Sequence, residues 1–183
     1  MTLVLLVIGA VVLLSALLYN SLVTKRIKVR RSFAGVDVQL TKRYGLIPNL
    51  VEVVRGYADH ERDVLTAVTE ARNRALLVSG DTPEQRSTAA EVVTTVNRLL
   101  ALAESYPELR ADAQFRFLMR SLNEVEAQIA AARRTFNMAV QTYNTAIETL
   151  PAALVASRLG FEPETYFEAS PGERLAVTVD LTG

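Results

Sequence analysis

Cysteine and tryptophan are both missing from this 183-residue chain, and histidine occurs once, at His60. Without cysteine there is no disulfide, no iron–sulfur cluster, no cysteine-based zinc site and no lipid-accepting cysteine of the lipoprotein kind. The single histidine closes further routes. His60-Glu61 begins like a zincin motif, but the second imidazole belongs four residues on, where the chain has Val64. A Ser-His-Asp arrangement would rest on the same histidine, with no nucleophile elbow near it. His60 is therefore read as a surface or inter-helix hydrogen-bonding residue. The eight glycines are scattered, and none builds G-x-x-x-x-G-K or G-x-G-x-x-G, which removes the common nucleotide-binding enzymes. The sequence predicts no catalytic, cofactor-binding or metal-binding residue, and a protein that is not an enzyme.

Charge is missing from one region only. Met1 to Thr24 carry no charged side chain, and the next seven residues hold Lys25, Arg26, Lys28, Arg30 and Arg31. The apolar run from Leu3 to Leu18, extended by Tyr19, Leu22 and Val23, makes about 30 Å of helix, the depth of a bilayer's hydrocarbon core. A buried core helix is the plainer alternative, but sixteen apolar or small residues in succession at the N-terminus argue against it. A cleaved signal peptide would carry its positive charge before the apolar run, whereas here it follows. Basic residues beside a span stay on the cytoplasmic side. The expected placement is thus a single-pass membrane protein, with Met1 outside and the body in the cytoplasm. With tryptophan absent, interfacial anchoring falls to Tyr19.

The formal net charge of zero hides an asymmetry. All 20 acidic residues follow Arg31, against 15 basic ones, so residues 32–183 carry about five negative charges. An acidic body does not suit nucleic acid, which requires a basic face. The basic cluster instead matches the headgroups of the lipid bilayer.

Past the anchor, apolar residues recur at helical spacing. One stripe runs Phe33, Val36, Leu40, Tyr44, Ile47, Val51, Val54, Ala58. Another runs Phe115, Leu118, Leu122, Val125, Ile129, Ala132, Phe136, Val140, Tyr143, Ile147, Leu150, in steps of three or four that make a coiled-coil-like heptad seam. This predicts one helix from about Leu109 to Leu150, ~63 Å long. Two further segments, Val64–Val78 and Glu84–Glu104, lie between the stripes, the latter lined by Val92, Val93, Val96, Leu99, Leu100 and Ala103. Gly80 and then Thr82-Pro83 read as a stop and a capped start. Ser105 with Glu108 fits a capping box. Gly45 and Pro48 are expected to bend or interrupt the first stripe. Pro151 should end the long helix, with a short helix over Ala152–Leu159 closing at Gly160. Ala176–Leu181 alternates like a strand.

On the long helix, Glu126, Arg133, Asn137 and Asn144 share a face at spacings of 7, 4 and 7. A di-iron site would need Glu-x-x-His pairs, which one histidine cannot supply. These residues are expected to form a polar track that sets helix register, Arg133 pairing with Glu126 or a facing acid and the asparagines satisfying one another. Lys42-Arg43 should be a solvated face or an ion pair with an acidic helix.

Several stretches resemble the LemA family of bacterial membrane-anchored helical proteins. They are Tyr19-Asn20-Ser21-Leu22-Val23, Asp37-Val38-Gln39-Leu40, Leu46-Ile47-Pro48-Asn49-Leu50-Val51, Gly56-Tyr57-Ala58 and Tyr106-Pro107-Glu108-Leu109. Tyr143-Asn144-Thr145, Gly160-Phe161 and Tyr166-Phe167-Glu168-Ala169 follow in order. Phe33 stands where the family usually has Trp, Gly45 where it has Asp, Phe136 where it has Tyr and Ile27 where it often has Asn. The aromatic swaps keep bulk and lose a polar handle, which points to packing. The resemblance implies a place in the bacterial inner membrane and a part in membrane organisation or biogenesis.

The expected fold is all-α: a transmembrane helix leading into an elongated antiparallel bundle with a short extended tail. Its divisions are an anchor (1–24), a basic juxtamembrane segment (25–32), a LemA-like bundle (33–160) and an extended tail (161–183). The expected function is a self-assembling scaffold, a homo-oligomer that also engages other membrane proteins. The alternative is a signalling or regulatory adaptor switching at the Gly45–Pro48 bend.

Overall fold

The computed structural model describes residues 1–167. It is all helical there: α1 (Thr2–Arg55), α2 (Arg62–Leu77), α3 (Pro83–Ala103), α4 (Pro107–Ala111), α5 (Ala113–Glu148) and α6 (Ala152–Arg158). The alternating segment Ala176–Leu181 lies outside the described residues.

α1 runs unbroken for 54 residues, about 80 Å, through the proposed anchor, the basic cluster and the first core stripe. The predicted stripe from Phe33 to Ala58, whose last residue lies just past the helix, is buried at every position and is joined by Leu22, Val29 and Leu50. The expected interruption at Gly45–Pro48 is not present. Pro48 removes the N–H that would bond the Tyr44 carbonyl, and Arg72 Nε from α2 donates to that carbonyl at 3.4 Å. A donor from a neighbouring helix thus lets α1 pass through its proline.

α1 packs against α5 over the body, α2 and α3 pair as a hairpin whose α2 rests on α1, and α6 touches both α1 and α5. α1, α2, α3 and α5 alternate up and down, the usual result of short connections. α3 begins as expected, with Thr82 Oγ1 accepting from Gln85 N at 3.1 Å and Pro83 in the first turn. The α2–α3 turn passes through Gly80 at φ +89°, a backbone region open to glycine.

Three boundaries differ from expectation. Ser105 does not cap a helix; α4 starts after Tyr106, which makes no side-chain cap bond. The long helix does not begin at Leu109. Asp112 sits in extended backbone and its Oδ1 accepts from Phe115 N at 2.8 Å, so a new helix starts at Ala113. At its other end α5 stops at Glu148, leaving Leu150 outside the seam and 75% exposed. Val93 is exposed too, and Gln85, Ala89 and Thr95 take buried places on α3.

Candidate functional site

The α1–α5 pair carries a charged station inside its apolar seam. Arg43 is the most enclosed charged residue among those described, with 1% of its side chain exposed. Its Nη1 donates to Glu126 Oε1 at 3.1 Å and its Nη2 donates to the Ala89 carbonyl at 3.1 Å. One guanidinium thereby ties α1 to α5 and α3, using the fixed fork geometry that suits arginine to enclosed ion pairs. Gln85 Nε2 donates to Asp37 Oδ1 at 3.0 Å and adds a second α1–α3 tie. Lys42 is exposed and takes no part. The Tyr44 hydroxyl, beside this station, is raised above the ordinary tyrosine value chiefly by burial, against the lowering influence of Arg43.

The expected polar track exists as a face of α5, with Glu126 and the two asparagines each holding a group on another segment. Glu126 goes to Arg43, and Arg133 lies with its guanidinium 5.4 Å from the centre of the Phe167 ring. The two asparagines do not satisfy each other. Asn144 Nδ2 donates to the Glu164 carbonyl and Asn144 Oδ1 accepts the Glu164 N–H, both at 2.9 Å. Asn137 does the same to Phe167, at 3.0 and 2.9 Å. Each amide closes a two-bond clamp on one backbone residue of the segment after Gly160. The Tyr143 hydroxyl adds a bond to the Glu162 carbonyl at 3.0 Å, and burial is the main cause of its raised pKa.

This segment, Phe161–Phe167, has no regular secondary structure and forms a strap along both helices. Phe161 meets Tyr19 edge-on at 5.9 Å, Glu164 lies 3.9 Å from Arg26, and Phe167 stacks on Phe33 at 6.1 Å. The partners advance by seven residues on α1 for every three on the strap. Two helical turns span about 10.5 Å and three extended residues about 10 Å, so the two repeats stay in step. Phe167 also meets Phe136 edge-on at 5.3 Å and carries Arg86 4.6 Å above its ring. Arg86 holds the strap further by donating to the Tyr166 carbonyl at 3.0 Å and is itself fixed by Asp81 at 2.6 Å. Phe33 and Phe136, the two aromatic departures noted above, thus serve as packing surfaces for the strap.

Sequence reasoning expected an extended tail from residue 161 but missed its attachment to the helices, because an asparagine clamp reads backbone, which leaves no side-chain signature in its partner. The available signal was the three-residue step Phe161, Glu164, Phe167 set against the seven-residue step Asn137, Asn144.

His60 is exposed near the end of the body that lies farthest from the strap. The described residues contain no group of three His, Cys, Asp or Glu side chains placed to hold a metal ion. An open depression of about 420 Å³ near His60 is lined by Arg55, Asp59, Arg62, Thr66 and Glu70 among others. What the chain has built is a set of binding contacts for an extended backbone, made by amide and aromatic groups.

Residues 32–181 match the LemA family. The chain is similar to Protein LemA of Metamycoplasma hominis, 21% identical over 158 residues that cover 86% of this chain and 72% of that protein. It is also similar to Magnetosome protein MamQ 2 of Paramagnetospirillum magneticum, 25% identical over 203 aligned positions covering 96% of this chain and 75% of the relative. Magnetosome protein MamQ of Magnetospirillum gryphiswaldense is 35% identical over 66 residues, 36% of this chain and 24% of that one.

Proposed function

The chain belongs to the LemA family, and from that premise we propose that it is a non-enzymatic, single-pass membrane protein whose cytoplasmic bundle acts as a self-assembling scaffold. One observation carries the membrane part. Every residue from Met1 to Leu14 is exposed, with no other element of the described chain against it, although this stretch is the most apolar of the protein. A row of exposed Leu, Val and Ile side chains in water costs about 25 cal/mol per Å² of apolar surface, a cost that hydrocarbon removes. The basic residues Lys25 to Arg31 follow at once and orient the span with the body in the cytoplasm of a bacterial cell.

The scaffold part rests on shape and on the relatives. A long, narrow α1–α5 pair offers extended side faces to partners, and the residues it buries are used for packing and strap binding. One relative is a magnetosome protein, which fits a part in membrane organisation. Gly9 and Ala16 are seven apart on the same face of α1, and no atom lies within 4 Å of a Cβ added at Gly9, so a second copy of the anchor could approach closely there. The adaptor alternative needs a joint at Gly45–Pro48, and α1 runs through that stretch as one helix.

Reporter fusions after Gly183 test the orientation: a periplasmic phosphatase should be inactive and a cytoplasmic fluorescent protein bright, and the reverse pattern overturns it. Mass photometry of the full chain in nanodiscs tests assembly. Species larger than a monomer are expected, shifting downwards in Gly9→Leu, and a strict monomer refutes the scaffold.

A further inference from the structure

Contact along α1 begins inside the uncharged stretch. Ser15 and Leu18 are half-covered and Leu22 is enclosed, although the first charge is at Lys25. The elements that reach this level follow from the antiparallel register of α1 and α5. Phe33 meets Phe136 at 5.8 Å and Arg43 meets Glu126 at 3.1 Å, ten residues apart on each helix. Continuing at equal rise, Glu148 comes level with about Ser21. Whatever follows Glu148 must therefore turn beside the end of the anchor. α6 does so, packed on both α1 and α5, and Phe161 just after it rests on Tyr19 at 5.9 Å.

The turn and helix are apolar where they face outwards. Thr149 to Ser157 contain no charge, and Glu148 and Arg158 flank them. Ala156 points inwards, while Leu150, Leu154 and Leu159 are 75%, 64% and 55% exposed. Leu17, at the same level on α1, is exposed as well. Groups at one level of a molecule share one solvent. If hydrocarbon surrounds Leu13 to Leu18, the same leaflet surrounds Leu150 and Leu154, and the flanking charges sit among the headgroups.

We propose that residues 149–159 are a second membrane contact, a cap set into the boundary between headgroups and acyl chains of the leaflet through which α1 leaves the bilayer. Leucines would reach into the acyl boundary with an arginine at headgroup level, as in a short interfacial element. The inference rests on the reading of α1 as a span. It makes the end of the body, and the start of the strap, part of the membrane-bound structure.

The natural absence of cysteine permits a direct test. Leu154→Cys, Leu150→Cys, Leu13→Cys and Phe117→Cys would each carry an environment-sensitive fluorophore on the full chain, in vesicles of phosphatidylethanolamine and phosphatidylglycerol with nitroxide-labelled acyl chains. The Leu154 and Leu150 labels should be quenched nearly as strongly as Leu13 and severalfold more than Phe117. Quenching at Leu13 alone overturns the cap and leaves the span standing. Quenching at none of the four sites overturns both. A blue-shifted Leu154 label that lipid nitroxides do not quench means that a second copy of the chain covers the face, which also overturns the cap.

Discussion

Arg72 supplies the hydrogen bond that Pro48 withholds from Tyr44, its Nε lying 3.4 Å from the Tyr44 carbonyl. A proline inside a helix costs about 3 kcal/mol, through the lost N–H and the crowded turn. Pro48→Ala should therefore raise the unfolding midpoint, because the new N–H bonds the Tyr44 carbonyl within the helix. Arg72→Ala should cost less in the Pro48→Ala background than in the natural chain. A double-mutant cycle by urea unfolding in detergent reads this coupling, and additive effects would mean that the Arg72 contact is incidental.

The Arg43–Glu126 pair is asymmetric, with 1% of one side chain exposed and 43% of the other. Removing Glu126 leaves a buried guanidinium held by the Ala89 carbonyl and the Tyr44 ring with no counter-charge from Glu126, whereas removing Arg43 leaves a carboxylate that water can reach. Glu126→Leu should cost about 2–4 kcal/mol and Arg43→Met less than about 1 kcal/mol. Denaturant unfolding of the two variants checks the order, and equal losses would contradict it.

Asn144→Leu and Asn137→Leu each remove two bonds to strap backbone. At about 1 kcal/mol per bond, each should destabilise strap attachment by roughly 1–3 kcal/mol and leave the helices intact. Hydrogen exchange at the Glu164 and Phe167 amides should accelerate, with cleavage by added protease near Gly160. Unchanged exchange would show that the aromatic contacts of Phe167 hold the strap unaided.

In the core, Ile129→Ala should cost about 2–5 kcal/mol, since Ile129 is almost wholly enclosed in the α1–α5 seam and leaves a cavity. Thermal melts measure it, and a change below about 1 kcal/mol would mean that the seam opens readily.

Alkaline pH should loosen the protein through its buried tyrosines, Tyr44 and Tyr143. Burial raises the pKa of Tyr44 and Tyr143 above the ordinary value near 10. Between the unfolded and folded values the unfolded chain holds fewer protons, so stability is fully present below about pH 10 and falls as pH rises beyond it. A phenolate absorbance titration should show Tyr143 ionising late, and Tyr143→Phe should flatten the stability loss. Early ionisation of Tyr143 would contradict its enclosure by the strap.

Most of the helical order was legible because each buried stripe obeys a single period. The Phe33–Ala58 stripe was fully readable, and the Phe115 stripe was readable up to Leu150. Period alone missed features that depend on another element. Pro48 signals a break unless a donor such as Arg72 arrives from α2. Asp112 begins a helix only because the chain before it turns. Ser105 had the composition of a cap without the backbone for one. Lys42-Arg43 reads as a solvated face or an ion pair, and only the brought-together Glu126 and Ala89 decide that Arg43 takes the ion pair, while Asn137 and Asn144 point to register until the strap supplies backbone for them to hold.

The strap also sets a rule for length. Its three-residue step matches a seven-residue step on two helices at once, so the structure works like a rack whose teeth lie about 10 Å apart. A single residue inserted between the clamps, in α5 or the strap, would leave the amides facing the wrong atoms, and one inserted between Tyr19 and Phe33 would put the α1 contacts out of step. Lengthening that preserves every contact requires seven residues in each helix and three in the strap, added together. The length of the strapped stretch, from Tyr19 to Phe33 on α1, is consequently counted in whole teeth, while the bundle beyond it is free of that rule.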